Sequence, residues 1–216
     1  MYLPKHFEAP SREAIESLVR DYPLAQIVTI DADGEWVCNP LPLLVRDTLD
    51  VGASLIGHVA RANPIWQHRG PVLVIFTGPS AYITPNAYPS KAEHHRVVPT
   101  YNYATVQVRG HLIANEDTSK KLAAVTDLTD FAEQSQLTPW AVADAPEDFV
   151  QANLRAIVAI EIRIESVIAK FKLSQNRTVA DRGGVVDYLA KRESDQDAAA
   201  MLKLMQSIAD KKTNKS

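Results

Sequence analysis

The stretch Gly57-His58-Val59-Ala60-Arg61-Ala62-Asn63-Pro64-Ile65-Trp66 places an imidazole, a guanidinium and a helix-capping amide close together in the chain. Asn63 suits an N-cap, and Pro64 suits the first turn of a short helix, where a missing N–H costs nothing. Free backbone N–H groups at that helix start, the Arg61 fork and the His58 ring would together make a compact phosphate site, since helix N-termini and bidentate arginine both favour phosphate. A plain capped turn between a strand and a helix accounts for the same residues equally well.

Two further stretches carry polar chemistry. Tyr82-Ile83-Thr84-Pro85-Asn86-Ala87-Tyr88-Pro89-Ser90-Lys91, followed by Val98-Pro99-Thr100-Tyr101-Asn102-Tyr103, combines proline-stiffened connections with tyrosine faces and an amide. That lining suits a planar heteroaromatic ligand, although tyrosines beside strands commonly serve as packing. Lys170-Phe171-Lys172-Leu173-Ser174-Gln175-Asn176-Arg177 offers cations and amides to an anionic ligand, or else a solvated helix start. Other chemistries find no support. His94 and His95 are adjacent rather than spaced to converge on a metal, Cys38 is the single cysteine, and no Gly-x-Ser-x-Gly, Walker or Gly-x-Gly-x-x-Gly pattern occurs.

The elements that must position these residues follow from periodicity. Ser11 caps a predicted helix over residues 12–21, with Ile15, Leu18 and Val19 at helical spacing and Pro23 beyond its end. Six strands are predicted, at 24–30, 36–45, 49–59, 71–84, 101–114 and 157–164, the first two joined as a hairpin through Asp31-Ala32-Asp33-Gly34. Helices are predicted over 119–132, from Pro146 onward, and over 185–192 and 196–210, the last two separated from what precedes them by Gly183-Gly184. The pattern is that of a mainly β protein with helices (α+β), an antiparallel barrel of about six strands with peripheral and C-terminal helices. Residues 1–180 are expected to form one domain and 181–216 a C-terminal helical extension.

Composition bounds the function. With 216 residues, 46% hydrophobic and 23% charged, the chain can bury a substantial core. A net charge of −3 argues against a pervasive nucleic-acid surface. Any DNA contact would be local, and Lys203, Lys211, Lys212 and Lys215 are the candidates, on a terminal helix expected to pack through Met201, Leu202, Leu204, Met205 and Ile208. The amino-terminal residues lack a secretory apolar stretch, and no segment approaches the roughly 18 apolar residues of a membrane span, so a cytoplasmic protein without a membrane partner is expected.

The opening Met1-Tyr2-Leu3-Pro4-Lys5-His6-Phe7, the Gly57–Pro64 stretch, Val98-Pro99-Thr100-Tyr101-Asn102-Tyr103 and Phe171-Lys172-Leu173-Ser174-Gln175-Asn176-Arg177 resemble, in that order, the PaiB family of FMN-binding negative transcriptional regulators. The resemblance covers nearly the whole chain. It implies an FMN-binding split β-barrel related to pyridoxamine 5′-phosphate oxidases and flavin reductases, working as a homodimer that builds two cofactor sites. Carried onto this sequence, it implies His58, Ala60, Arg61 and Asn63 at the FMN phosphate, Tyr101 and Asn102 near the ring or ribityl chain, and Lys172 and Gln175 reaching a site from the partner subunit. Tyr101 departs from the tryptophan common in the family. The implied function is transcriptional repression through DNA or a protein partner. An FMN-dependent oxidoreductase using a reduced nicotinamide is the competing function, a cofactor-free binding fold a third, and whether the protein is an enzyme stays open at this point.

Overall fold

A computed structural model describes residues 1–192 and 194–213, the last four of these by backbone alone. Seven strands, β1 (Leu24–Ile30), β2 (Trp36–Pro42), β3 (Leu44–Val45), β4 (Ser54–Ala60), β5 (Pro71–Ile83), β6 (Thr100–Asn115) and β7 (Ile157–Lys172), form one sheet in the order β2-β1-β5-β6-β7-β4-β3. Six helices accompany them: α1 (Arg12–Asp21), α2 (Lys91–His94), α3 (Thr118–Glu133), α4 (Glu147–Arg155), α5 (Val179–Ala190) and α6 (Gln196–Thr213). None of the described helices is long and apolar enough to cross a membrane. The chain divides into two compact units: a first comprising Met1–Leu18, Thr77–Val106 and the residues from Ile168 onward, and a second comprising Val19–Phe76 and Gln107–Val167.

In the second unit, β1 and β2 pair antiparallel from Leu24↔Pro42 to Ile30↔Trp36. Their turn closes because Gly34 adopts φ +84° and Asp31 Oδ1 accepts from the Asp33 and Glu35 amides at 3.0 and 2.9 Å. The extended segment expected at 36–45 is a single run that changes partner. Up to Pro42 it pairs with β1, then Leu43 donates its amide to Pro23 O at 2.9 Å, and Leu44 and Val45 pair with Ile56 and Leu55 of β4. The two ends of the strand order are therefore joined through one fully buried residue, Leu43. β2 tolerates Pro40 and Pro42 because it stands at the end of that order.

β4 pairs antiparallel with β7 from Ser54↔Arg163 to Ala60↔Ile157. The strand expected from 49 starts only at Ser54, because Asp50–Ala53 forms a turn around Gly52 at φ +89°. Two glycines let neighbouring segments approach. A Cβ on Gly57 would come 2.8 Å from Leu43 Cδ2 and 3.0 Å from Pro42 O, and one on Gly110 would lie 2.1 Å from Arg163 O. α3 starts at Asp117, whose carboxylate accepts from the Ser119 and Lys120 amides. Lys121, buried along α3, donates its ammonium to Leu154 O at 2.7 Å, satisfying a carbonyl in the last turn of α4.

In the first unit the expected break at Gly183-Gly184 is absent, and α5 runs through both glycines from its Thr178 cap, whose hydroxyl accepts from the Asp181 amide at 3.1 Å. The reason for Gly184 is proximity rather than a turn, since a Cβ there would lie 2.1 Å from Ala87 O. Asp181 fixes the same approach by accepting from the Ser90 amide and hydroxyl at 3.1 and 2.9 Å. The last strand also continues past the expected Ile164 to Lys172. α6 buries Ala198 and Met201 while Lys203 is exposed; the side chains of Lys211 and Lys212, and Lys215 altogether, lie outside the described residues.

Leu43→Ala should cost about 2–5 kcal/mol, and Gly57→Ala about 1–3 kcal/mol through overpacking. In urea unfolding the double variant should be less destabilised than the two losses added, because truncating Leu43 vacates the space the new methyl needs. Strict additivity would mean that the two side chains do not compete for one volume.

Candidate functional site

In the second unit, His58 occupies β4 opposite Ala159, and its ring is half-buried with Nδ1 lacking a hydrogen-bond partner. Burial lowers its pKa below the ordinary 6.5, so the neutral ring is favoured. Ala60 ends the strand, exposed. Arg61 follows and is held at four points. Its amide donates to Ala156 O at 2.8 Å, its carbonyl accepts from Trp66 Nε1 at 2.9 Å, Nε donates to Arg155 O at 2.9 Å, and Nη1 pairs with Glu116 at 2.6 Å. Of the five N–H donors an arginine carries, the remaining ones point to no described partner.

Asn63 caps a single 3-10 turn over Pro64–Gln67, its Oδ1 accepting from the Ile65 amide at 3.1 Å. Its Nδ2 donates to Asn39 Oδ1 on β2 at 2.9 Å. The sequence thus anticipated the cap, but the helix is one turn long and Asn63 is bound to β2. A cleft of about 600 Å³ opens beside this pair, lined by the β1–β2 hairpin with Asn39, Asn63, Pro64 and Arg69. Asn39 and Glu116 were not anticipated. Neither has a local signal, because each reaches the site through strand pairing or a loop distant in sequence.

In the first unit, Tyr101, Asn102, Lys172 and Gln175 fall around the ends of β6 and β7. The Tyr101 ring is 57% exposed and lies edge-on to Tyr82 at 5.7 Å between centroids. Asn102 is fully buried and accepts from Ser174 Oγ at 3.1 Å. Ser174 itself sits at φ +64°, and its hydroxyl bond to Asn102 helps hold that strained turn. The Lys172 ammonium donates to Tyr101 O at 2.6 Å and to the Thr100 hydroxyl. Gln175 turns back on its own loop, Oε1 accepting from the Leu173 amide at 2.6 Å and Nε2 donating to Phe171 O.

Comparison with known proteins gives the family and the fold. Residues 1–166 match the family described as "Putative FMN-binding domain". The chain is 29% identical over 211 residues to the protease synthase and sporulation protein PAI 2 of Bacillus subtilis, covering 95% of this chain and 97% of that one. It is 32% identical over 224 residues to an uncharacterized protein of Aspergillus fumigatus, covering 82% and 86%. Among solved structures, a flavocytochrome from Azotobacter vinelandii superposes with a TM-score of 0.54 at 12% identity over 82% of this chain and 73% of that one. An FAD and heme binding protein from Mycobacterium smegmatis gives 0.53 at 18% identity over 76% and 73%. At these identities the likeness speaks for the fold, the split barrel of flavoproteins.

Because the folded state disfavours the charged His58 ring, the unfolded chain takes up its proton first on acidification. The stability that the neutral ring preserves is intact above about pH 6.5 and is lost as pH falls from there through the lower folded-state value. His58→Asn should flatten this part of the stability profile between about pH 7 and 5 in thermal unfolding. An unchanged slope would mean that His58 titrates alike in both states.

Proposed function

The chain belongs to the FMN-binding family of PaiB type, and from that premise we propose that it acts as a homodimeric, FMN-dependent negative regulator of transcription. The relative that carries this reading is the Bacillus subtilis sporulation protein, matched along almost the full length of both chains. FMN is the cofactor of the family, and when bound it supplies one- and two-electron redox chemistry.

The residues of the second unit fit its phosphate end. The unpartnered, buried His58 Nδ1 is a polar atom with unmet hydrogen-bonding capacity, and Arg61 keeps fork donors free for oxyanions. Ala60 leaves the approach to Arg61 unobstructed by a larger side chain. Asn63 acts by positioning, since its amide holds the turn and β2 rather than pointing free. In the first unit the exposed Tyr101 ring offers a face for stacking. Asn102 fixes the Ser174 turn, Lys172 ties the end of β7 to the start of β6, and Gln175 holds the loop that follows β7, the arm through which a partner subunit would complete the site.

Arg61 meets phosphate in competition with Glu116, and the two partners are both well exposed. Such pairs contribute only about 0.2–1 kcal/mol, whereas a hydrogen bond to a charged group contributes about 1.5–3 kcal/mol. Phosphate should therefore win. Flavin fluorescence titration of Arg61→Ala should show FMN binding weaker by about 1.5–3 kcal/mol, and Glu116→Gln should tighten it by a few-fold at most. An Arg61→Ala variant with unaltered affinity would remove the phosphate end from this junction.

The regulatory part of the reading is tested by gel shift with the protein's own upstream DNA at two salt concentrations, with and without FMN. Retention that falls steeply with salt and responds to FMN is expected. FMN-stimulated oxidation of a reduced nicotinamide without any DNA retention would favour the oxidoreductase instead.

A further inference from the structure

In the first unit Lys170 and Lys172, with the Arg177 charge felt at Lys172, stand where among the described residues no carboxylate pairs with them. Lys170 and Lys172 stand two residues apart on β7 and so share a face, as Tyr101 and Tyr103 do on the neighbouring β6. Lys170 is only 9% exposed. Its Nζ donates to Tyr2 O at 3.1 Å and lies 5.5 Å from the Tyr2 and Tyr103 ring centroids and 5.9 Å from that of Phe7. Lys172 Nζ lies 5.9 Å from the same Tyr103 ring, and the Arg177 guanidinium sits 4.7 Å over the ring of Tyr88. Burial first, then the charges of Lys170 and Arg177, hold the Lys172 ammonium below the usual lysine range.

The nearby acids are otherwise engaged. Among the described residues none makes an ion pair with Lys170, Lys172 or Arg177. Glu8 meets Lys170 through a backbone bridge but its side chain is exposed, and the Asp181 carboxylate is occupied by Ser90. Ring faces and carbonyl oxygens offset part of the cost of a buried ammonium, yet they carry no net negative charge. The cluster is therefore short of an anion, and each ammonium has three donors, of which Lys170 spends one on Tyr2.

We propose that this face of β6 and β7 binds a compact oxyanion, phosphate-like in size and charge, at Lys170, Lys172 and Arg177, through residues other than those assigned above to the FMN phosphate. The anion is either free or the charged end of an organic ligand, whose apolar part the Tyr103 and Tyr2 rings would receive. The inference requires that the FMN phosphate lies at the His58–Asn63 junction and leaves Lys170, Lys172 and Arg177 open.

Isothermal titration calorimetry of the full chain tests it, with inorganic phosphate titrated at constant ionic strength in chloride, before and after saturation with FMN. Saturable binding is expected in both states, and Lys170→Gln and Arg177→Gln should each weaken it about tenfold, the loss of one charge-assisted hydrogen bond. Arg177 is only half-buried, so its variant serves even if replacing Lys170 prevents folding. Phenyl phosphate in place of phosphate separates the sources: tighter binding indicates a ligand-borne anion, equal binding a free ion, and either supports the site. Absence of saturable binding, unchanged affinity in the variants, or disappearance of the phosphate isotherm once FMN is bound would overturn the proposal, the last by giving the cluster to the cofactor.

Discussion

Leu43 against Gly57 is the contact on which the sheet of the second unit turns. The extended segment 36–45 can serve β1 with its first part and β4 with its last only if it bends inward at a residue that is wholly buried. That bend brings the Leu43 side chain and the Pro42 carbonyl to within van der Waals reach of the Gly57 Cα, where any larger residue would press on both. Gly57 lies immediately before His58, so the same contact sets the height and register at which β4 presents the imidazole. A slip of one residue along β7 would turn His58 to the opposite face and carry Arg61 away from the Arg155 and Ala156 carbonyls. The chemistry of the junction is thus a consequence of packing one strand over.

Much of this was readable from local pattern. The hairpin at Asp31–Gly34, the helix behind Ser11, the cap at Asn63 and the strands expected at 24–30, 71–84 and 101–114, each observed to within one residue at either end, announce themselves through alternation, turn residues or capping chemistry. What local pattern could not show was pairing. The partner switch at Leu43 looks, residue by residue, like an uninterrupted strand. Gly183-Gly184 looks like a break, because nothing nearby in the chain reveals that the Ala87 carbonyl will lie against Gly184. The continuation of β7 to Lys172 was hidden because lysines are seldom buried, and Lys170 becomes so only with Tyr2, Phe7 and Tyr103 around it.

The candidate residues divide by the same rule. Types and spacing selected His58, Arg61 and Asn63, yet the state of each depends on a residue far away in sequence: Glu116 for Arg61, Asn39 for Asn63, and the β7 strand for the burial of His58. The candidate cations differ in how they are held. Arg61 has a carboxylate partner in Glu116, so that a ligand must displace a weak pair. Lys170 and Lys172 face rings and carbonyls, which neutralise nothing.

Pro40 and Pro42 have a further effect. A proline within a paired strand must turn its missing N–H away from its partner, so the edge of β2 opposite β1 lacks donors at Pro40 and Pro42, and at Pro42 that edge is covered where its carbonyl meets Gly57. A foreign strand approaching the remainder of that edge would meet no hydrogen to bond at Pro40 and would run into β4 beyond it. The exposed Trp36, Leu24 and Ile30 of the same hairpin are sticky enough to invite such an approach. Pro40 at the open part of the edge, and β4 at its end, thus limit how far a second chain could add to this hydrophobic rim by strand pairing.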